Sequence, residues 1–443
     1  MRRSWSRIFA LSLGIPLLLA FLVACGSGTT GTTGSGGSTP TATKIIKIGS
    51  DLPVSGKDES SGLPAQDGAA LALNQANANH TIPGYQLVFV PKDDVGPSGI
   101  HDPAQGAQNV TALIGDALVA GIVGPFNSNV AEAEMPITNQ APIAQISPAN
   151  TNTCLTQDTP DTGCTGKNDI IKTVRPTGKV TYFRIATTDN HQGGVGADYL
   201  YKTLGYKKAY VIDDAETYGI GIANAFIKEF SADGGTVLGH SSEPSTTTSY
   251  VSLLTQVAAM HPDVIYFAGL DSTGGILVRQ QMEQIPGLQN TPYAGGDGIQ
   301  TSTFASTIGL KGGPIYSTVA TANADVLPQA QTFIQQFKQT YGASAYGAYS
   351  AAAYDCMNIM IQAIKTAIQN GAKVPTSSSD TADAPAFRQA VINAIQNISY
   401  NGVTGHQSFD QNGDTTDKVI SIYQLADVSG SPGWKFITQQ TIA

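Results

Sequence analysis

Two short loops carry the side chains best suited to gripping a small anion. The apolar run Ala117–Val123 gives way to Gly124-Pro125-Phe126-Asn127-Ser128-Asn129, and Ile143–Ser147 is followed by Pro148-Ala149-Asn150-Thr151-Asn152. Asn127 or Ser128 can cap the helix expected next, and the free N–H groups and dipole of a helix start suit a carboxylate. Two neighbouring loops of this kind can wrap one carboxylate between them. Plain capping and turn formation account for the same residues equally well.

Catalytic signatures are missing. The chain contains no Gly-x-Ser-x-Gly elbow and no Gly-x4-Gly-Lys-Ser/Thr phosphate loop. Its six histidines never fall at metal-ligand spacing, so no zinc site is expected, and the chain is read with no metal, cofactor or catalytic residue assigned. Asp410-Gln411-Asn412-Gly413-Asp414 begins like a calcium loop, but Ser421 stands where the bidentate Glu belongs, and a hairpin turn is the better reading. Gly193-Gly194-x-Gly196 follows no clear strand at dinucleotide spacing.

The elements that must position these loops alternate between strand and helix, as in a doubly wound α/β sheet. Ile45–Ser50, Gln86–Val90, Ala117–Val123 and Ile143–Ser147 read as strands, separated by helices over Pro64–Asn79, Pro103–Ile114 and Val130–Asn139. A second series starts after Phe183, with helices Gly194–Leu204, Gly219–Ser231 and Val251–Ala259 and strands Ala209–Ile212, Thr236–Gly239 and Val264–Ala268. Helices near Pro328–Tyr341, Ser350–Asn370 and Ala384–Asn397 follow, then strands around Val419–Leu425. Ligands in such sheets sit at the carboxyl ends of strands, which is where the two loops lie.

Length and charge narrow the class. Lys44 to Ala443 exceeds the single-core limit of about 250–300 residues, so two lobes are expected. Net charge is −9 with 13% charged residues, which disfavours nucleic acid as a partner. Arg2, Arg3 and Arg7 precede an apolar run from Ile8 to Val23, short for a membrane span and flanked like a signal peptide. It ends in Leu22-Val23-Ala24-Cys25, which resembles a bacterial lipobox with Cys25 as the lipidated residue. Gly26–Thr43 is almost wholly Gly, Ser and Thr, a tether reaching roughly 20–25 Å. Cys154 and Cys164 bracket a Thr/Asp/Pro/Gly-rich insertion and either close a short disulfide loop or remain thiols, while Cys356 falls in an apolar helix pattern.

Five segments in register carry a family resemblance: Ile48–Gly56, Ile122–Ser128, Ser147–Asn152, Phe183-Arg184…Asp189-x-x-Gln192-Gly193, and Asp213…Tyr218-Gly219. Together they resemble the type 1 periplasmic binding proteins, closest to the Leu/Ile/Val and amide receptor branch. The resemblance implies two Rossmann-like lobes with parallel sheets, joined by a three-segment hinge and closing on a ligand. Residues 44–187 plus 322–404 would form one lobe and 188–321 plus 405–443 the other. It also implies that Ser128, Ala149, Asn150 and Thr151 bind a ligand carboxylate, Asp297 an ammonium, that Tyr218 closes over the ligand, and that Leu270 is a seventh ligand-binding residue. Ser61 and Leu270-Asp271 stand where the branched-chain receptors have bulky aromatics, which puts a Leu-shaped pocket in doubt.

The function these observations imply is solute capture outside the cytoplasm for an ABC importer, with the permease and ATPase on separate chains. The ligand class is an amino acid or a related amide or carboxylate. A monomer is expected, bound to the outer face of the membrane only through its lipid. A ligand sensor built on the same trap and a secreted α/β enzyme are the alternatives; the second lacks a nucleophile, base or metal set.

Overall fold

The computed structural model describes residues 44–158, 163, 164, 166 and 169–442. The expected leader, the expected lipobox cysteine Cys25 and the expected tether fall on residues 1–43 and lie outside the described residues. Among the described residues, no helix is long and apolar enough to cross a membrane.

The amino-terminal part is a βα series. Its elements are β1 (Lys44–Leu52), α1 (Glu59–Ala78), β2 (Tyr85–Asp93), α2 (Pro103–Ile114), β3 (Val119–Val123), α3 (Ser128–Gln140), β4 (Ala144–Ser147), α4 (Ile171–Val174) and β5 (Tyr182–Arg184). The five strands form one parallel sheet in the order β2-β1-β3-β4-β5. All five residues of β3 are buried, as expected for a parallel strand covered on both faces.

The second series comprises α5 (Asp189–Asp198), β6 (Lys208–Asp213), α6 (Thr217–Ala232), β7 (Thr236–Ser242), α7 (Val251–Ala259), β8 (Val264–Ala268), α8 (Ile276–Met282), β9 (Tyr293–Gly295), α9 (Ser302–Ile308) and β10 (Ile315–Val319). After α10 (Gln331–Tyr341), α11 (Ser350–Gln369) and α12 (Ala384–Gln396) come a hairpin of β11 (Tyr400–Gly402) and β12 (Gly405–Gln407), then β13 (Val419–Val428) and β14 (Ser431–Thr441). The second sheet runs β14-β13-β10-β9-β8-β6-β7, with β13 and β14 antiparallel additions to a parallel core.

The chain therefore passes between the two sheets three times: after β5, after β10, and between β12 and β13. Helix α11 returns to the first lobe and packs on α1, where a side chain on Gly68 would strike the Ser350 carbonyl. Its buried face, including Ile359, Met360 and Ile364, joins β1, β3 and β4 in the first-lobe core. Cys356 is in that face and is fully buried.

Arg184 ties the first and third crossings together. It is fully buried at the end of β5, donates from Nε to Asp414 Oδ1 at 2.7 Å, and reaches the Asn152 carbonyl at 2.6 Å. A charge buried this deeply is tolerable only when paired, and Asp414 is held below the usual carboxylate range against its own burial by this guanidinium. The Asp410–Asp414 segment is the turn at this crossing: Asp410 Oδ1 accepts from the N–H groups of Asn412 and Asp414, and Phe409 bridges Thr415.

Several elements differ from expectation. The second helical series begins at Asp189, not Gly194, because the glycine cluster lies inside α5. Gly193 there lets α5 approach α6, where a Cβ would strike Ala225 and the Phe226 backbone. Strands β5 and β9 have three residues each, too short to show a period, and β14 carries the polar face of an edge strand.

Candidate functional site

The first-lobe half of the site is built by lacing two strand ends together. Ser147, last in β4, donates from Oγ to the Pro125 carbonyl at 2.6 Å and accepts from the Asn150 N–H at 2.9 Å. Asn150 donates to the Phe126 carbonyl at 2.6 Å and accepts from the Tyr182 hydroxyl at 2.7 Å. These bonds fix both loops against each other and leave the start of α3 between them. Asn127 occupies the cap position without a capping side-chain bond. The helix dipole there amounts to about half a positive charge, and the two loops that flank it, Gly124–Asn129 and Pro148–Asn152, carry no charged side chain.

The second-lobe half is made of charged and phenolic side chains. Tyr218, in the first turn of α6, donates its hydroxyl to Asp297 Oδ1 at 3.0 Å. Gln192 of α5 donates to the same oxygen at 2.7 Å and also to the Thr318 carbonyl at 3.0 Å. Burial pushes the Asp297 carboxyl up, and the Gln192 and Tyr218 bonds oppose that. Gly296 is required beside it, since a Cβ there would collide with the Tyr218 hydroxyl.

The two halves meet around one small cavity, lined by Phe126, Asn127, Ser128, Asn129, Ala149, Thr151, Glu216, Tyr218, Leu270 and Asp297. Six of the seven expected ligand residues are among them. Asn150 is not: its amide is committed to Phe126 and Tyr182, so its side chain braces the loops instead of facing the cavity. Expectation also differs at the helix cap, where neither Asn127 nor Ser128 closes α3 by a side-chain bond; the Ser128 hydroxyl instead accepts from the Asn152 N–H at 3.4 Å. Ser61 does not line the cavity. Phe126, Asn127, Asn129 and Glu216 do, and no periodicity singled them out. For Glu216 the available signal was an acidic residue two positions before Tyr218 at the carboxyl end of β6.

Contacts between the lobes surround the cavity. Asn152 donates to the Thr217 carbonyl at 2.5 Å, and Thr217 donates to Glu132 Oε2 at 3.0 Å. In this arrangement the cavity is about 20 Å³, room for one or two waters. Beyond Leu270 lies a larger hollow of about 1620 Å³ lined from both lobes, among others by Lys57, Leu63, Asp271, Thr301 and Trp434. Cys154 and Cys164, just after the Thr151 loop, are joined by a disulfide with Cα atoms 5.2 Å apart.

Residues 45–430 match the family described as periplasmic binding protein. A Leu/Ile/Val-binding protein of Rhizobium johnstonii is 26% identical over 348 residues, covering 76% of this chain and 87% of that one. An amino acid binding protein of Pseudomonas aeruginosa is 27% identical over 387 residues, 86% of this chain and 90% of that one. The crystal structure of a leucine binding protein from Thermotoga maritima shares the fold with a TM-score of 0.70 at 22% identity, covering 88% of this chain and 97% of that one. A solute binding protein from R. palustris in complex with 4-hydroxybenzoate superposes as well, with a TM-score of 0.72 at 20% identity over 89% of this chain and 97% of that one. With the family match spanning nearly all of the two-lobed fold, this chain belongs to the periplasmic binding protein family.

Proposed function

We propose that this protein is the extracytoplasmic solute-binding component of an ABC importer and that it captures an α-amino acid, of the branched-chain or amide class. The observation that carries the reading is the pairing of opposite electrostatics across one interlobe cavity. An uncapped helix start between neutral loops faces the buried Asp297 carboxylate held by Tyr218 and Gln192. A zwitterion satisfies both sides at once, its carboxylate at Ser128, Ala149 and Thr151 and its ammonium at Asp297. At 4 Å the latter pair is worth about 4 kcal/mol at an effective dielectric of 20, against about 1 kcal/mol in water. The names of the Rhizobium and Pseudomonas relatives support the same class.

The lobes that move would be residues 44–187 with 322–404 and residues 188–321 with 405–443. The permease and ATPase would be separate chains, and the protein a monomer held at the membrane through Cys25. The aliphatic pocket of a leucine receptor has little support, because Leu270 and Ala149 are the only aliphatic side chains lining the cavity. A thermal-shift screen of amino acids, amides, urea and small carboxylates tests the reading. Stabilisation by an amino acid supports it; response only to ligands without an amine sinks it. Intact mass after membrane extraction tests the anchor, with Cys25→Ala expected to release soluble protein.

A further inference from the structure

Next to the cavity lies a buried histidine that the capture chemistry above does not use. His101, 3% exposed, sits just before α2 in the first lobe. Its Nδ1 is 2.8 Å from Asp58 Oδ2, and its Nε2 is 2.8 Å from Glu216 Oε2. Asp58 belongs to the first lobe, whereas Glu216 immediately precedes α6 in the second and lines the cavity. Both ring nitrogens thus face carboxylate oxygens. A neutral imidazole has one N–H and one lone pair, so it can donate to only one of them. Asp58 Oδ2 also accepts the His101 backbone N–H at 2.8 Å, and Glu216 Oε2 accepts from Asn129 at 3.3 Å, so both carboxylates act as acceptors. The ring that fits is the imidazolium, donating to both lobes.

We propose that His101 is a proton-carrying clamp: its imidazolium ties Asp58 of the first lobe to Glu216 of the second, so that closing the lobes takes up a proton and alkaline pH releases them. It is a positioning residue, since it also balances the charge of Glu216 in the cavity wall and leaves Asp297 as the lining carboxylate without a cationic partner. Burial alone would push the ring down, but the bonds to Asp58 and Glu216 outweigh it and hold the ring at about 10. Asp94, following β2, and Asp214, following β6, interact electrostatically with the same ring, but burial pushes both carboxyls up, Asp214 to about 7, so neither is a fixed negative charge beside it. Opening withdraws Glu216 and admits water, so the open-state value lies lower. The clamp therefore acts fully below the open-state value and is lost as pH rises from there through about 10.

The inference rests on the two-lobe trap reading, and one experiment separates their failures. Donor and acceptor dyes are attached in the full chain at Ala112→Cys on α2 and Asn224→Cys on α6, both exposed, with Cys25→Ser to prevent a third attachment. Energy transfer is read on protein freed of ligand by unfolding and refolding, between pH 6 and pH 10. One linked proton changes the closed-to-open ratio by up to about tenfold per pH unit, so the wild-type ratio should fall at least about fivefold over that range. His101→Gln can fail to fold because it strands two buried carboxylates. Glu216→Gln is therefore the independent variant, and it should flatten the pH profile at the opened end. Equal opening at both pH values, or an unchanged slope in Glu216→Gln, overturns the clamp alone. Dyes that never report an open population overturn the trap reading itself.

Discussion

The two halves of the site are built from different materials. On the first lobe, the proposed recognition would be through main chain and hydroxyl: the start of α3 and the Ala149–Thr151 loop, locked by Ser147 and Asn150. On the second lobe it would be charge, with Asp297 and Glu216 each oriented by neighbours from other elements. Backbone dipoles tolerate side-chain change, because the N–H groups remain after truncation. A buried carboxylate does not, because its whole contribution resides in one group.

That contrast sets the order of expected losses. Asp297→Asn keeps the shape but removes the countercharge, which should weaken binding of the amino acid found in the thermal-shift screen by about 2–5 kcal/mol, roughly 30- to 4,000-fold. Calorimetric titration reads it. A change under about threefold with a lowered melting temperature would reduce Asp297 to a turn residue. Tyr218→Phe removes a hydrogen bond to that carboxylate, and about 1.5–3 kcal/mol, or roughly 10- to 150-fold, should be lost in the same titration. Ser128→Ala leaves the helix start intact and should cost only about 0.5–1.5 kcal/mol, or roughly 2- to 12-fold. Equal losses at Ser128 and Asp297 would erase the distinction between the halves.

The last expected effect is on stability rather than on binding. Burial pushes both Asp214 and Asp271 up to about 7. Each is ionised from about 4 upward when unfolded but still protonated in the fold, so the folded state holds more protons across that window. Stability should fall as pH rises from about 4 to 7, by up to about 1.4 kcal/mol per unit for each group. Melting curves across that range check the sign, and Asp271→Asn should flatten the slope.

The elements with a full period were legible from residues alone. α2 and α7 run from Pro103 to Ile114 and Val251 to Ala259, and β8 from Val264 to Ala268, all within their expected bounds. Their signals are local: a Pro at the helix start, an apolar run of strand length, polar breaks on either side. The loops after β3 and β4 were equally visible, since small and hydroxyl residues at strand ends need no partner to be recognised. The side-chain role of Asn150 was not visible, because its partners Phe126 and Tyr182 come from other segments of the chain.

What the residues by themselves determined is therefore the alternation of strands and helices, the expectation of two lobes, and which strand ends could hold a carboxylate. Residue pattern without the family resemblance leaves open which side chains share one cavity, and the tertiary structure brings them together. Tyr218, Gln192 and Asp297 meet only because β6, β9 and α5 converge, and His101 meets Glu216 across 115 positions of sequence. Local pattern fixes where a backbone turns, since turning depends on neighbouring residues. The pairing of buried charges depends on which segments closure brings within 3 Å of each other, and no local period records that.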